Sequence, residues 1–128
     1  MPHLIVEYSA NIEPELELPL LLRKLKDAAV ATGVFPLGGI RVRGACRQHF
    51  DIADGDPSNA FVHLQARIGA GRDEATRSAA ADALFDVLTD HLASLFASRG
   101  LGISLEFVEL DPVSSRKQNN LHDKVKGG

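Results

Sequence analysis

The chain has 128 residues, 45% of them apolar and 24% charged, with a formal net charge of −3. That length fits one domain with a real core, and the acidic balance gives no overall cationic field of the kind that nucleic-acid or anionic-membrane binding uses. Cys46 is the sole cysteine, which excludes an intrachain disulfide framework and the usual cysteine-rich zinc sites and fits a reducing compartment, read here as the cytoplasm. Met1 to Ile5 lacks the basic start of an export signal, and no apolar run is long enough to span a bilayer.

His3 to Ser9 alternates Leu4, Val6 and Tyr8 against His3, Ile5 and Glu7 and reads as a strand buried on both sides, with Pro2 at its start. Leu21, Leu22, Leu25, Ala28, Ala29 and Thr32 recur at helical spacing. Pro19 fits a first turn and Gly33 a left-handed stop, which predicts a helix over roughly Glu17 to Thr32. Phe35-Pro36-Leu37-Gly38-Gly39 breaks the pattern, and an extended stretch follows from Ile40 to Phe50. Asp54-Gly55-Asp56-Pro57 is a turn cluster that closes this half.

The second half repeats the plan. Ala60 to Ile68 alternates as a strand, Gly69-Ala70-Gly71-Arg72 turns, and Asp73 can cap a helix whose stripe is Ala80, Leu84, Val87, Leu88, His91 and Leu95. Gly100 ends that helix, and Leu101 to Leu110 is the fourth strand. The order β-α-β-β-α-β predicts an α/β fold, two tandem βαβ units forming a four-stranded mixed sheet with two helices on one face. Periodicity leaves the strand order open. Val62, Leu64 and Ile68 beside Phe61 are read as apolar residues of both parities, so the second sheet face also needs cover, which neighbouring subunits would supply. Residues 1–128 make one domain, and 112–128 are a polar C-terminal tail that reaches across a neighbour or frays.

Several residues could carry chemistry. Loss of Met1 would make Pro2 the terminus and its nitrogen a basic secondary amine, with a pKa that apolar walls and cationic neighbours would lower. By position alone, a proline that merely starts a strand is the plainer reading. Arg41, Arg43 and Arg47 share one parity; arginine forks bind carboxylates and stabilise charge developing on a dienolate, whereas ion pairing is the structural alternative. Gly69 to Arg72 enters a helix N-terminus, where free N–H groups favour an anion, with a simple tight turn as the rival reading. Glu74 stands where a dinucleotide fingerprint needs its third glycine.

The histidines at 3, 49, 63, 91 and 122 lack ligand spacing, so no metal is expected. His91 reads as a satisfied core histidine, Ser9 and Cys46 as inert, and Glu7, Glu106 and Glu109 as ion-pair partners for the arginines across an interface.

Taken together, Met1-Pro2-His3-Leu4-Ile5-Val6-Glu7, Phe35-Pro36-Leu37-Gly38-Gly39-Ile40-Arg41, Ala60-Phe61-Val62-His63, Ile68-Gly69-Ala70-Gly71-Arg72 and Lys117-Gln118-Asn119-Asn120 resemble the 5-carboxymethyl-2-hydroxymuconate Δ-isomerases of the tautomerase superfamily, nearly end to end. The resemblance implies a homotrimer of tandem βαβ subunits and ketonisation of 5-carboxymethyl-2-hydroxymuconate to 5-oxopent-3-ene-1,2,5-tricarboxylate in homoprotocatechuate breakdown. It implies Pro2 as the base, Arg41 and Arg72 as ligands of the substrate carboxylates, a small polycarboxylate as partner, and no metal or organic cofactor. A tautomerase for another 2-hydroxydienoate, or a non-catalytic trimeric binding module, would share many of these features.

Overall fold

The computed structural model describes residues 1–125. β1 (His3–Ser9) leads through a 3₁₀ turn (Ala10–Ile12) and the short α1 (Glu13–Leu16) into α2 (Leu18–Ala31). A second 3₁₀ turn (Leu37–Gly39) precedes β2 (Arg41–Arg47). The remaining elements are β3 (Ala60–Gly69), α3 (Glu74–His91), α4 (Ala93–Ser98), β4 (Leu101–Leu110) and α5 (Leu121–Val125).

The predicted α/β plan holds, and the strand order left open is β2-β1-β3-β4. β1 and β2 are parallel direct neighbours, as are β3 and β4, and the two units meet antiparallel at β1–β3. Neither βαβ unit is therefore split by an intervening strand as in a ferredoxin-like sheet. α2 packs on β2, α3 on β4, and the two helices on each other.

Boundaries differ where backbone geometry intervenes. Glu17 takes a left-handed conformation with φ 51° and separates α1 from α2, so the first helix begins at Leu18. The Glu17 carbonyl accepts the Leu20 and Leu21 N–H groups at 3.1 Å each, which satisfies donors at the new helix start. The second helix breaks at Leu92 before α4, and β2 stops at Arg47 rather than Phe50. The loop after β2 is tied by Asn59 Nδ2, which donates to the Ile52 carbonyl and to Asp54 Oδ1. Asp73 caps α3 as predicted, accepting the Thr76 N–H at 2.8 Å.

The core lies between the helices and one sheet face. Leu4, Val6 and Tyr8 of β1 and Val62, Leu64, Ala66 and Ile68 of β3 are buried against Leu21, Leu25, Ala80, Leu84 and Leu88. Val62, Leu64 and Ile68 thus share a single parity. The other parity, which includes Phe61, supplies the second face, so apolar residues do fall on both parities as expected. By strand register that face presents Ile5, Phe61, Val108 and Leu110 among His3, Glu7, Arg43, Arg47, His63, Gln65 and Glu106. Its polar groups pair within the chain: Arg47 with Glu7 at 2.8 Å, Arg43 with His3 at 3.1 Å, and Gln65 with Glu106 at 3.0 Å.

Residues of the tail also find partners in their own chain. Asp111 accepts from Val113 and Ser114, and α5 packs on the 3₁₀ turn at Leu37–Gly39. The described part of the tail is therefore a strap packed on its own subunit rather than frayed; residues 126–128 lie outside the described residues. Contact is close because Gly38 has no side chain: a Cβ there would lie 2.7 Å from the His122 Cα.

Two stability changes follow. Leu64→Ala, at a fully buried site, is expected to cost about 2–5 kcal/mol, read from the midpoint of chemical denaturation. Gly38→Ala must push backbone aside, so it should loosen the strap locally by about 1–3 kcal/mol. Hydrogen exchange should then rise in residues 119–125 and stay unchanged in β1 and β3.

Candidate active site

Sheet topology brings three candidate residues to one end of the sheet. β1 starts beside the start of its parallel neighbour β2 and beside the end of its antiparallel neighbour β3, with His3 opposite both Arg41 and Arg67. Pro2, one residue before β1, is buried, and its carbonyl accepts the Arg41 N–H at 3.0 Å. Arg72 lies three residues beyond Gly69, the end of β3. β4 runs parallel to β3, so the strap leaves from this same end.

Arg72 is held on three sides. Its Nη1 donates to the Gly69 carbonyl at 3.0 Å and its Nη2 to the Val34 carbonyl at 3.3 Å. The guanidinium lies 4.9 Å from the ring centroid of buried Phe35, an arrangement that attracts a cation to the ring quadrupole. This contact gives the Phe35-Pro36 segment a role: the loop after α2 braces an arginine from the second βαβ unit.

Arg41 is held by the other end of that loop and by the strap. Nη1 donates to the Gly38 carbonyl and Nη2 to Asn119 Oδ1, both at 3.2 Å. Asn119 Nδ2 donates to the same Gly38 carbonyl at 2.9 Å. Arg43 and Arg47, predicted with Arg41 on one parity, are instead engaged by His3 and Glu7 on the open face.

The amine at the chain start sits among these cations. Its pKa is held below the ordinary value, chiefly because burial disfavours the ammonium. Lys117 lowers it further by its charge and as a hydrogen-bonding neighbour, followed by the charges of Arg72 and Arg41. His3 is likewise lowered, by burial and then by Arg43 and Arg41, consistent with a ring whose Nδ1 accepts from the Arg43 guanidinium. A cavity of about 330 Å³ opens beside the terminus, lined by Met1, His3, Gly69, Leu110, Arg116 and Lys117 among others. A wider groove of about 570 Å³ runs along β2 with Arg41 and Arg43 on its wall. It does not reach the chain start.

Other expectations resolve differently. The helix N-terminus after Gly71 is served by the chain's own acids: Asp73 takes the Thr76 N–H, and Glu109 the Gly71 N–H at 3.4 Å. The Arg72 side chain adds its positive charge to this corner. His91 is a satisfied core residue, its Nε2 donating to the Leu16 carbonyl at 2.7 Å while Nδ1 accepts from Lys24 at 3.2 Å. Ser9 is buried and its Oγ accepts the Phe61 N–H. Glu7 and Glu106 pair within their own subunit. No group of three or more His, Cys, Asp or Glu able to hold a metal occurs among the described residues.

Asn119, Lys117 and His122 were not singled out as site residues by sequence pattern. Their one signal is the polar run Lys117-Gln118-Asn119-Asn120, and an extended strap has no face periodicity to show where it docks.

Comparison with known proteins identifies the family. The family model described as 5-carboxymethyl-2-hydroxymuconate isomerase matches residues 2–125. A 5-carboxymethyl-2-hydroxymuconate Delta-isomerase of Escherichia coli is 45% identical over 122 residues, covering 95% of this chain and 97% of its own. The crystal structure of a 5-carboxymethyl-2-hydroxymuconate isomerase from Deinococcus radiodurans R1 superposes with a TM-score of 0.92 at 46% identity, over 96% of this chain and 92% of the other. A wild-type fused 4-OT symmetric trimer shares the fold, with a TM-score of 0.66 at 18% identity over 91% and 93% of the two chains. Matched by the family model over residues 2–125 and by relatives at 45% and 46% identity, the chain belongs to the 5-carboxymethyl-2-hydroxymuconate isomerase family.

Proposed function

We propose that this chain, once Met1 is removed, ketonises 5-carboxymethyl-2-hydroxymuconate to 5-oxopent-3-ene-1,2,5-tricarboxylate with Pro2 as its base. The observation that carries the reading is the convergence of the chain start, Arg41 and Arg72 at one end of the sheet. The same burial and cations that lower the terminal amine would act on a Pro2 terminus one residue inward. A lowered pKa leaves more of the amine neutral at working pH, where it can take a proton.

In this mechanism the neutral Pro2 nitrogen takes the 2-hydroxyl proton of the substrate, leaving a dienolate. The resulting ammonium returns that proton to carbon while the enolate oxygen becomes the ketone, so atoms and charge balance. Arg41 and Arg72 hold carboxylates and stabilise the negative charge that develops between the two transfers. Residues 1–128 act as one domain, in the cytoplasm.

We also infer a homotrimer. The sheet face turned from the helices carries Ile5 and Phe61 among charged groups, and the symmetric-trimer 4-OT has this fold. Light scattering on the purified protein is expected to give three chains per particle.

Ultraviolet absorbance of the conjugated substrate tests the chemistry directly. Protein with an intact mass lacking Met1 should be active, and protein retaining it inactive, because Pro2 is then an amide. Pro2→Ala should lower the rate, since it replaces a constrained secondary amine by a primary one; equal rates would remove Pro2 from its role. Arg41→Ala should cost about 3 kcal/mol in kcat/KM.

The pH dependence has a definite sign. Activity should rise as pH rises through the Pro2 ammonium pKa. Lys117→Gln removes a charge that lowers the pKa of the terminal amine, so the rising limb should move to higher pH. A limb that stays in place would show that Lys117 does not tune the base.

A further inference from the structure

The C-terminal strap meets Arg41 through Asn119, in a contact with both donor and acceptor satisfied. Asn119 Oδ1 accepts from Arg41 Nη2 at 3.2 Å and from the Leu121 N–H at 2.9 Å. Its Nδ2 donates to the Gly38 carbonyl at 2.9 Å, and that carbonyl also accepts Arg41 Nη1 at 3.2 Å. Guanidinium, side-chain amide and main-chain carbonyl therefore close a ring, with Asn119 and Arg41 78 residues apart in the chain.

Only a side chain with an acceptor and a donor on one short, planar group can complete this ring. A hydroxyl is too short to bridge both partners. A carboxylate has no donor for Gly38, and its charge would neutralise Arg41. The neutral amide fixes the guanidinium and leaves its positive charge for an anion. These contacts use two of the five guanidinium N–H donors. Behind the ring, His122 seats against the bare backbone of Gly38, which anchors the strap where Asn119 meets Arg41.

We propose that Asn119 is a positioning residue for the isomerisation: it holds Arg41 in the orientation in which Arg41 binds the substrate carboxylate. An arginine left free must give up side-chain rotamer freedom when the substrate binds, whereas one already held does not. The inference rests on the reading that Arg41 is a substrate ligand.

A double-mutant cycle on the full-length, processed protein tests it. Asn119→Ala is expected to lower kcat/KM about 10- to 100-fold, divided between kcat and KM in the same proportion as the loss in Arg41→Ala. In the Arg41→Ala background the same substitution should cost less than about twofold further, because its partner is already gone. If Asn119→Ala does not fold, the cycle is run with Asn119→Asp, which keeps the side-chain volume; it should lower kcat/KM at least as much and be equally silent without Arg41.

Unchanged kcat/KM in the Asn119 variant, or losses that multiply in the double variant, would overturn the proposal. If Arg41→Ala itself retains wild-type kcat/KM, the underlying reading of Arg41 has failed and this inference falls with it. If Arg41→Ala is impaired and Asn119→Ala is not, only the role of Asn119 is refuted.

Discussion

The architecture of the site depends on the pairing of β1 with two neighbours of opposite sense. The parallel partner β2 begins where β1 begins, and the antiparallel partner β3 ends there. An N-terminal residue, one at position 41 and one at position 72 are thereby carried to the same end of the sheet. Register is strongly specified because one sheet face is buried: a slip of one residue in β1 would turn Leu4, Val6 and Tyr8 out of the core. The core thus sets the site geometry without contributing to its chemistry.

Electrostatics then act on what topology has assembled. The protein carries a net charge of −3, yet its chain start is surrounded by Lys117, Arg72 and Arg41. These charges add to burial, and both disfavour an ammonium. Elsewhere the sign is balanced locally, as on the open sheet face, where Arg47 and Glu7 pair at 2.8 Å. Such exposed pairs contribute little to stability. They do keep Arg43 and Arg47 occupied and separate from the terminus.

The loop from Gly33 to Ile40 links the two arginines. Its first part offers the Val34 carbonyl and the Phe35 ring to Arg72, and its last part offers the Gly38 carbonyl to Arg41. A segment that sequence pattern marks only as a helix-to-strand break is thus shared by both arginines. It also forms the seat on which the strap closes, at a glycine where any side chain would meet the His122 backbone.

Sequence alone determined the elements, because apolar periodicity reports which face of a helix or strand is buried: α2, α3 and all four strands were legible from it, as were the Asp73 cap and the core role of His91. The motifs containing Pro2, Arg41 and Arg72 were legible too, through their order along the chain. Tertiary structure decided the strand order, the ion and hydrogen-bond pairing on the second sheet face, the left-handed Glu17 that starts α2, and the docking of residues 117–122 beside Arg41. Those features depend on contacts between residues up to about 80 positions apart. Local propensity and period carry no information about such pairings, which form only when the whole core selects one packing.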